Sequence, residues 1–238
     1  MNDLEILTAM DRAEARLAAG RNLRGCGFWV AVDHLRSDPE ASRRFAARAA
    51  RIDLTAFEKG VSLRVPEVIG TSVLSLGTLA GVAAIIVSGS IGDAIIRTLV
   101  FLGSVATLLI TTHSLTHWIV GRMMGIRFTH YFLGGPPPPR PGAKVDYETY
   151  LQTPPKRRAL MHASGAVVTK IIPFAMVPVA DGLQVKPWAL YGLIAVGIGQ
   201  IATDLLFSTK TSDWKKVKRE LVAARGQPAS KGGVDASA

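Results

Sequence analysis

The sequence predicts an all-α membrane protein with about four transmembrane helices, a helical cytoplasmic region before them and a short β-type segment in a middle loop. Three observations predict it. Apolar residues gather in long blocks: 68–92 and 98–121 contain no Asp, Glu, Lys or Arg, 159–180 contains only Lys170, and 187–209 only Asp204. A helix of roughly 20 apolar residues crosses a bilayer core, so each block is long enough to span one. Basic residues alternate between the connections, heavy before the first block and light after it, as four crossings require.

The first block follows more than sixty polar and charged residues, and no signal-peptide pattern stands at the start of the sequence. This region, 1–64, reads as helical. Leu7, Met10, Ala13 and Leu17 recur at helical spacing. Asp38-Pro39-Glu40 is a helix start, with a cap, a proline at the first helical position and an acid in the first turn. The helix it opens, to about Phe57, sets Phe45, Ala49 and Ile52 on one face among arginines. That pattern fits an amphipathic helix packed on the membrane or on its own domain, and no nucleic-acid-binding motif accompanies it, so no nucleic-acid partner is expected.

The core, 65–209, divides into spans at about 68–89, 98–120, 159–180 and 187–208. Gly77 and Gly81 form a small-xxx-small pair on the first span that lets another helix approach closely. The loop 122–157 holds the β-forming run Ile126–Leu133 and then Pro136 to Pro139, which exclude helix. Pro173 is expected to kink the third span. Trp118, Trp188 and Trp214 fall near span ends, where interfacial tryptophans lie. The tail, 210–238, opens with a basic helix suited to a membrane surface and ends in small polar residues expected to be disordered.

Arg and Lys are dense before the first span, in the middle loop and in the tail, while the links after the first and third spans hold Arg97 and Lys186. The excess of basic residues places both termini and the middle loop in the cytoplasm of a multi-pass plasma-membrane protein. The formal net charge of +10 then reads as contact with anionic lipid headgroups. A single cysteine, Cys26, excludes an internal disulfide and a cysteine-based metal cluster.

The chain has five histidines, and His113 and His117 lie four apart on the second span. That spacing stacks both imidazoles on one face, where they are able to share a Zn²⁺ ion. At 1.5 Å per residue, His117 and His113 lie about 6 and 12 Å from the inner end of their span, Asp204 about 8 Å and His162 about 5 Å. Four candidate ligands thus share one layer: His113, His117, Asp204 and, less centrally, His162. Two other roles compete for them. The histidines also suit hydrogen bonds between helices, and Asp204 also suits a counter-ion for Lys170, which lies mid-span and needs one. A di-iron desaturase would need further histidine boxes, and only His130 and His162 remain downstream.

The stretch His113-Ser114-Leu115-Thr116-His117-Trp118-Ile119-Val120-Gly121-Arg122 resembles the site-2 protease family of intramembrane zinc metalloproteases, whose His-Glu-x-x-His helix is followed by a glycine and a short β-segment. Ser164-Gly165-Ala166 is similar to the Ser-Gly-Pro opening of that family's next helix, and Asp204 stands roughly where its third zinc ligand falls. The resemblance covers about 95–210. It implies a zinc cofactor and a transmembrane protein as client. The departures are equally informative. Ser114 occupies the position of the catalytic Glu, the base that takes a proton from water at the metal, and serine is no such base at neutral pH. Ala166 replaces the family's proline. Glu148 and Glu58 are the remaining candidate bases, and nothing in the sequence positions either. The sequence therefore predicts a proteolytically inactive, metal-binding scaffold or client-binding protein. The alternatives are a protease with an unconventional base and a metal-free structural protein.

Overall fold

The computed structural model describes residues 1–134, 140–206 and 212–225. The proline run and the end of the tail, expected to be extended and disordered, lie outside them. The chain separates into two compact units: 1–67, 121–161 and 216–238 form the first, and 68–120 with 162–215 the second.

The first unit begins with three helices: α1 (Asp3–Ala18), α2 (Phe28–Ser37) and α3 (Pro39–Gly60). Asn2 caps α1 in a reciprocal box, accepting from the Glu5 amide at 2.9 Å while the Glu5 carboxylate accepts from the Asn2 amide at 2.8 Å. The buried stripe of α1 is Ile6, Ala9, Met10, Ala13 and Leu17. Leu7, placed on that face from the sequence, points outward, because the run of 3.6-residue period starts one position earlier.

Asp38 caps α3 as its sequence predicts, accepting from the amides of Glu40 and Ala41 at 2.9 and 3.0 Å. Ala49 and Ile52 are buried on α3. Its arginines meet the acidic side of α1: Arg44 pairs with Asp3, and Arg48 contacts Glu14 at 3.0 and 2.7 Å and also Asp11. Here α3 packs on its own unit, and part of the basic charge of this region is neutralised within it.

A three-stranded antiparallel sheet follows, in the order β1 (Leu63–Pro66), β2 (Phe128–Gly134), β3 (Arg140–Val145). The β-forming run of the middle loop is its central strand. The short helix α6 (Tyr147–Gln152) completes this part, capped by Asp146.

The second unit holds α4 (Glu67–Ser88), α5 (Ala94–Met123), α7 (Pro155–Gly182) and α8 (Pro187–Leu206), less the end residues that belong to the first. Among the described residues these are the four helices long and apolar enough to cross a membrane, with window hydropathies of 1.9, 2.0, 1.6 and 1.6. The helix bounds run past the expected spans of α5 and α7 at both ends. Large apolar side chains stand exposed along them, including Val68, Leu76, Ile110 and Leu205. Such surface is stable only against lipid, and the protein is a multi-pass membrane protein.

The four helices approach through small residues. A Cβ on Gly77 would lie 2.8 Å from Thr111 Cγ2, and one on Gly81 3.0 Å from Leu108 Cδ2, so the glycine pair on α4 is the contact with α5. Thr78 donates to Thr111 across the same seam at 2.9 Å. Phe101 and Val105 of α5 meet Ala180 of α7 and Ala189 and Leu193 of α8 in a buried cluster. The helix α7 continues through Pro173 and Pro178 without a break. The last helix, α9 (Asp213–Ala224), carries the basic stretch of the tail.

Candidate metal centre

His113 and His117 occupy successive turns of α5, and their rings meet edge to face with centroids 4.8 Å apart. The third member of the group is Asp213, the first residue of α9. Its Oδ2 lies 3.4 Å from His113 Nε2 and 3.2 Å from His117 Nε2. One ligand atom from each residue falls within 4.8 Å of the others. The His117 and Asp213 side chains are 12% and 16% exposed and that of His113 38%, so the group is recessed but reachable from one side.

Gly165 of α7 makes this placement possible. A Cβ there would lie 2.4 Å from His117 Nε2 and 2.7 Å from the His113 carbonyl oxygen. Only hydrogen fits at that position, so Gly165, the glycine of the Ser-Gly-Ala stretch, packs directly against the His117 imidazole and the His113 backbone. Thr169, one turn on, donates back to the Gly165 carbonyl at 3.1 Å.

Asp204 stands elsewhere. It pairs with Lys170 of α7 and accepts from the Trp214 indole N–H at 2.8 Å. Lys170 also donates to the Ala166 carbonyl at 3.1 Å and lies over the Trp214 ring. In the structure Asp204 thus pairs with Lys170, and it is Asp213 that lies with the two histidines. His162 is buried on α7 and is not one of the clustered three. Asp204 is the acid inside the fourth span, at a depth close to that of the histidines. Asp213 lies beyond that span and is returned to the histidines by the fold. Its only sequence signal is that of an acid opening a helix, which reads equally well as a cap.

The two polar groups share a cavity of about 240 Å³ within the second unit, lined by His113 and Asp213 on one side and by Lys170, Gln200, Thr203 and Asp204 on the other. It is a polar recess among helices that otherwise present apolar surface.

This fold and this recess define the class: a multi-pass, all-α membrane protein in which two histidines of the spanning helix α5 cluster with Asp213 at the start of α9. The chain has no significant match among protein-family models, curated proteins or solved structures.

Proposed function

We propose that the protein is a membrane-embedded zinc-binding protein of site-2-protease type that does not hydrolyse peptides, and that it serves as a scaffold or a binding partner for a transmembrane client. The observation that carries the metal reading is the meeting of His113 Nε2 and His117 Nε2 on Asp213 Oδ2 at 3.4 and 3.2 Å. Ligand atoms bound tetrahedrally to zinc at 2.0–2.1 Å lie about 3.3–3.4 Å apart, the spacing of each imidazole from Asp213, and all three ligand atoms lie within 4.8 Å of one another. The donor set of two neutral imidazoles and one carboxylate suits zinc and leaves a fourth position open. Bound zinc supplies Lewis acidity at that point.

The residues around the group support the inactive reading. Ser114 follows His113 where a carboxylate base would stand. The other acid in the cavity wall, Asp204, is engaged by Lys170 and Trp214. The cavity beside the three ligands, with its lysine and amide side chains, supports a binding role for an unwound or polar stretch of another membrane segment. The distribution of Arg and Lys supports a plasma-membrane orientation with both termini in the cytoplasm. Lys215, Lys216, Lys218 and Arg219 on α9 suit anionic headgroups.

The second reading has its own observation. The 3.2 Å contact of His117 with Asp213 is also hydrogen-bonding distance, and a metal-free His–Asp bond would tie α9 to α5. Elemental mass spectrometry of detergent-solubilised protein separates the two. The proposal expects about one zinc per chain, retained in Asp204→Asn and lost in Asp213→Asn and in His113→Ala/His117→Ala. Absence of zinc from the wild-type protein purified without chelator, and after zinc is added back, would leave the hydrogen-bonded pair and refute the metal site.

A further inference from the structure

The first unit contains a second cavity, of about 460 Å³, with a different character. Leu17, Trp29, Phe57 and Phe132 give it an apolar interior. These side chains come from α1, α2, α3 and β2, so the cavity is built by the tertiary fold of one unit and is not a groove along a single helix. Phe57 is fixed edge-on against Phe132 with centroids 5.1 Å apart, and the Lys144 ammonium lies 5.0 Å above its ring.

The charges at this cavity are one-sided. Arg21, Lys59 and Lys144 line it, and Asp53 is the one acid in its lining among the described residues. Asp53 is committed to Lys144. Lys59 donates to the Leu17 carbonyl, a contact that fixes its ammonium at the wall and leaves its charge uncompensated. Arg21 carries no ion pair among the described residues. Two cations with no acidic partner among the described residues therefore border an apolar chamber whose volume falls in the range of small-ligand sites. An apolar body with one anionic end satisfies both features, since the apolar part is removed from water and the anion meets charge-assisted donors.

We propose that this cavity binds a long-chain fatty acid, with the acyl chain among Trp29, Phe57 and Phe132 and the carboxylate at Arg21 and Lys59. The site is independent of the histidine cluster and does not require metal.

The test is a titration of the full chain, released from detergent micelles and observed by native mass spectrometry, with oleate and with oleyl alcohol as probes. Oleate is expected to bind at one per chain, and oleyl alcohol, which has the same chain and no charge, at least roughly tenfold more weakly. Arg21→Glu/Lys59→Glu should weaken oleate by a similar factor or more while leaving the helical circular dichroism intact. Ala56→Trp, which puts an indole into the cavity from its wall, should abolish binding. Equal binding of the alcohol and the acid would overturn the proposal, as would oleate binding untouched by the charge reversal. Retention of a co-purified two-chain phospholipid that oleate does not displace would overturn it as well. The comparison of the two probes on the wild-type chain stands even if Ala56→Trp does not fold.

Discussion

Lys170 on α7 and Asp204 on α8 form an ion pair within the membrane-spanning unit, and the indole N–H of Trp214 donates to the same carboxylate at 2.8 Å. An unpaired ammonium among spanning helices is costly, and Asp204 is what makes Lys170 tolerable there. The pair also separates two roles that the sequence could not separate. An acid inside a span suits a ligand or a counter-ion role, and Asp204 stands beside a lysine one helix away.

Asp204→Asn is expected to lower the thermal stability of the solubilised protein by on the order of 1–2 kcal/mol, discounted because the Asp204 side chain is a third exposed. The double change Lys170→Met/Asp204→Leu should recover most of that loss, since it removes both charges together. Zinc content should be unchanged in either variant. A thermal melt in one detergent at fixed ionic strength checks this. A double variant less stable than Asp204→Asn would contradict the pairing argument.

Gly165→Ala is expected to be the most damaging single-methyl change in the second unit. The added Cβ would lie 2.4 Å from His117 Nε2, and the His113 backbone blocks relaxation on the other side. Overpacking of this kind costs about 1–3 kcal/mol. Because the imidazole moves first, zinc content should fall by more than the loss of folded protein. Gly103→Ala, whose Cβ meets nothing within 4 Å, serves as the control and should leave both measurements unchanged.

The parts of this molecule legible in the sequence are those written into local composition. The four spans are charge-free or nearly so, and hydrophobicity over twenty residues is a local property. The start of α3 was equally plain, since Asp38, Pro39 and Glu40 each act within one turn. On α1 both Ile6 and Leu7 fit the helical period, and alanines supply part of the buried stripe and carry little hydrophobic signal, so the sequence does not tell which of the two faces inward. Strands β1 and β3 gave no warning. They are four and six residues long and each contains a proline, and what makes them strands is pairing with β2 from Leu63↔Leu133 to Phe128↔Val145. Asp213 was missed for the same reason: its partners are a hundred residues upstream, and only the tertiary fold brings them together. The cavity behind Trp29 and Phe57 is likewise invisible in any one segment, since four elements enclose it.

Asp38 gives the first unit a local acid sensitivity. The amide of Ala41, and after it that of Glu40, holds the Asp38 carboxyl below the usual carboxylate range, with slight burial opposing. The folded value is depressed, so the contribution to stability is present above the unfolded value of about 3.9 and is lost as pH falls through the folded one. Asp38→Ala should cost about 1 kcal/mol at neutral pH, as helix caps do. Asp38→Asn should keep most of the cap and remove this acid dependence. Urea titrations at pH 7 and at pH 3 resolve both effects, and a pH-independent difference between Asp38→Asn and wild type would contradict the assignment.

Glu220 is the buried charge on which the first unit depends most. Its side chain has no exposed surface, nor has that of Arg158, and their charged atoms meet at 2.8 Å without the alignment of a hydrogen bond. Tyr150 and Arg219 supply aligned bonds, donating to Glu220 Oε1 at 2.7 and 3.2 Å, and burial beside that carboxylate pushes the Tyr150 hydroxyl up, so it remains a donor at any physiological pH. Arg36 lies 3.9 Å away on the other side, and its carbonyl accepts from Arg158 at 2.6 Å. Removing the acid would leave the buried Arg158 guanidinium without its carboxylate, while Arg36 keeps Asp33. Glu220→Ala should therefore cost about 3–5 kcal/mol, the range for breaking a buried pair on one side. Tyr150→Phe should cost only about 1–2 kcal/mol, because it removes one donor and leaves the ion contact in place. Limited proteolysis of the solubilised protein reads the difference directly: cleavage between α6 and α7 should accelerate far more in Glu220→Ala than in Tyr150→Phe. Equal cleavage rates in the two variants would show that the hydroxyl, and not the charge, holds Glu220 in place.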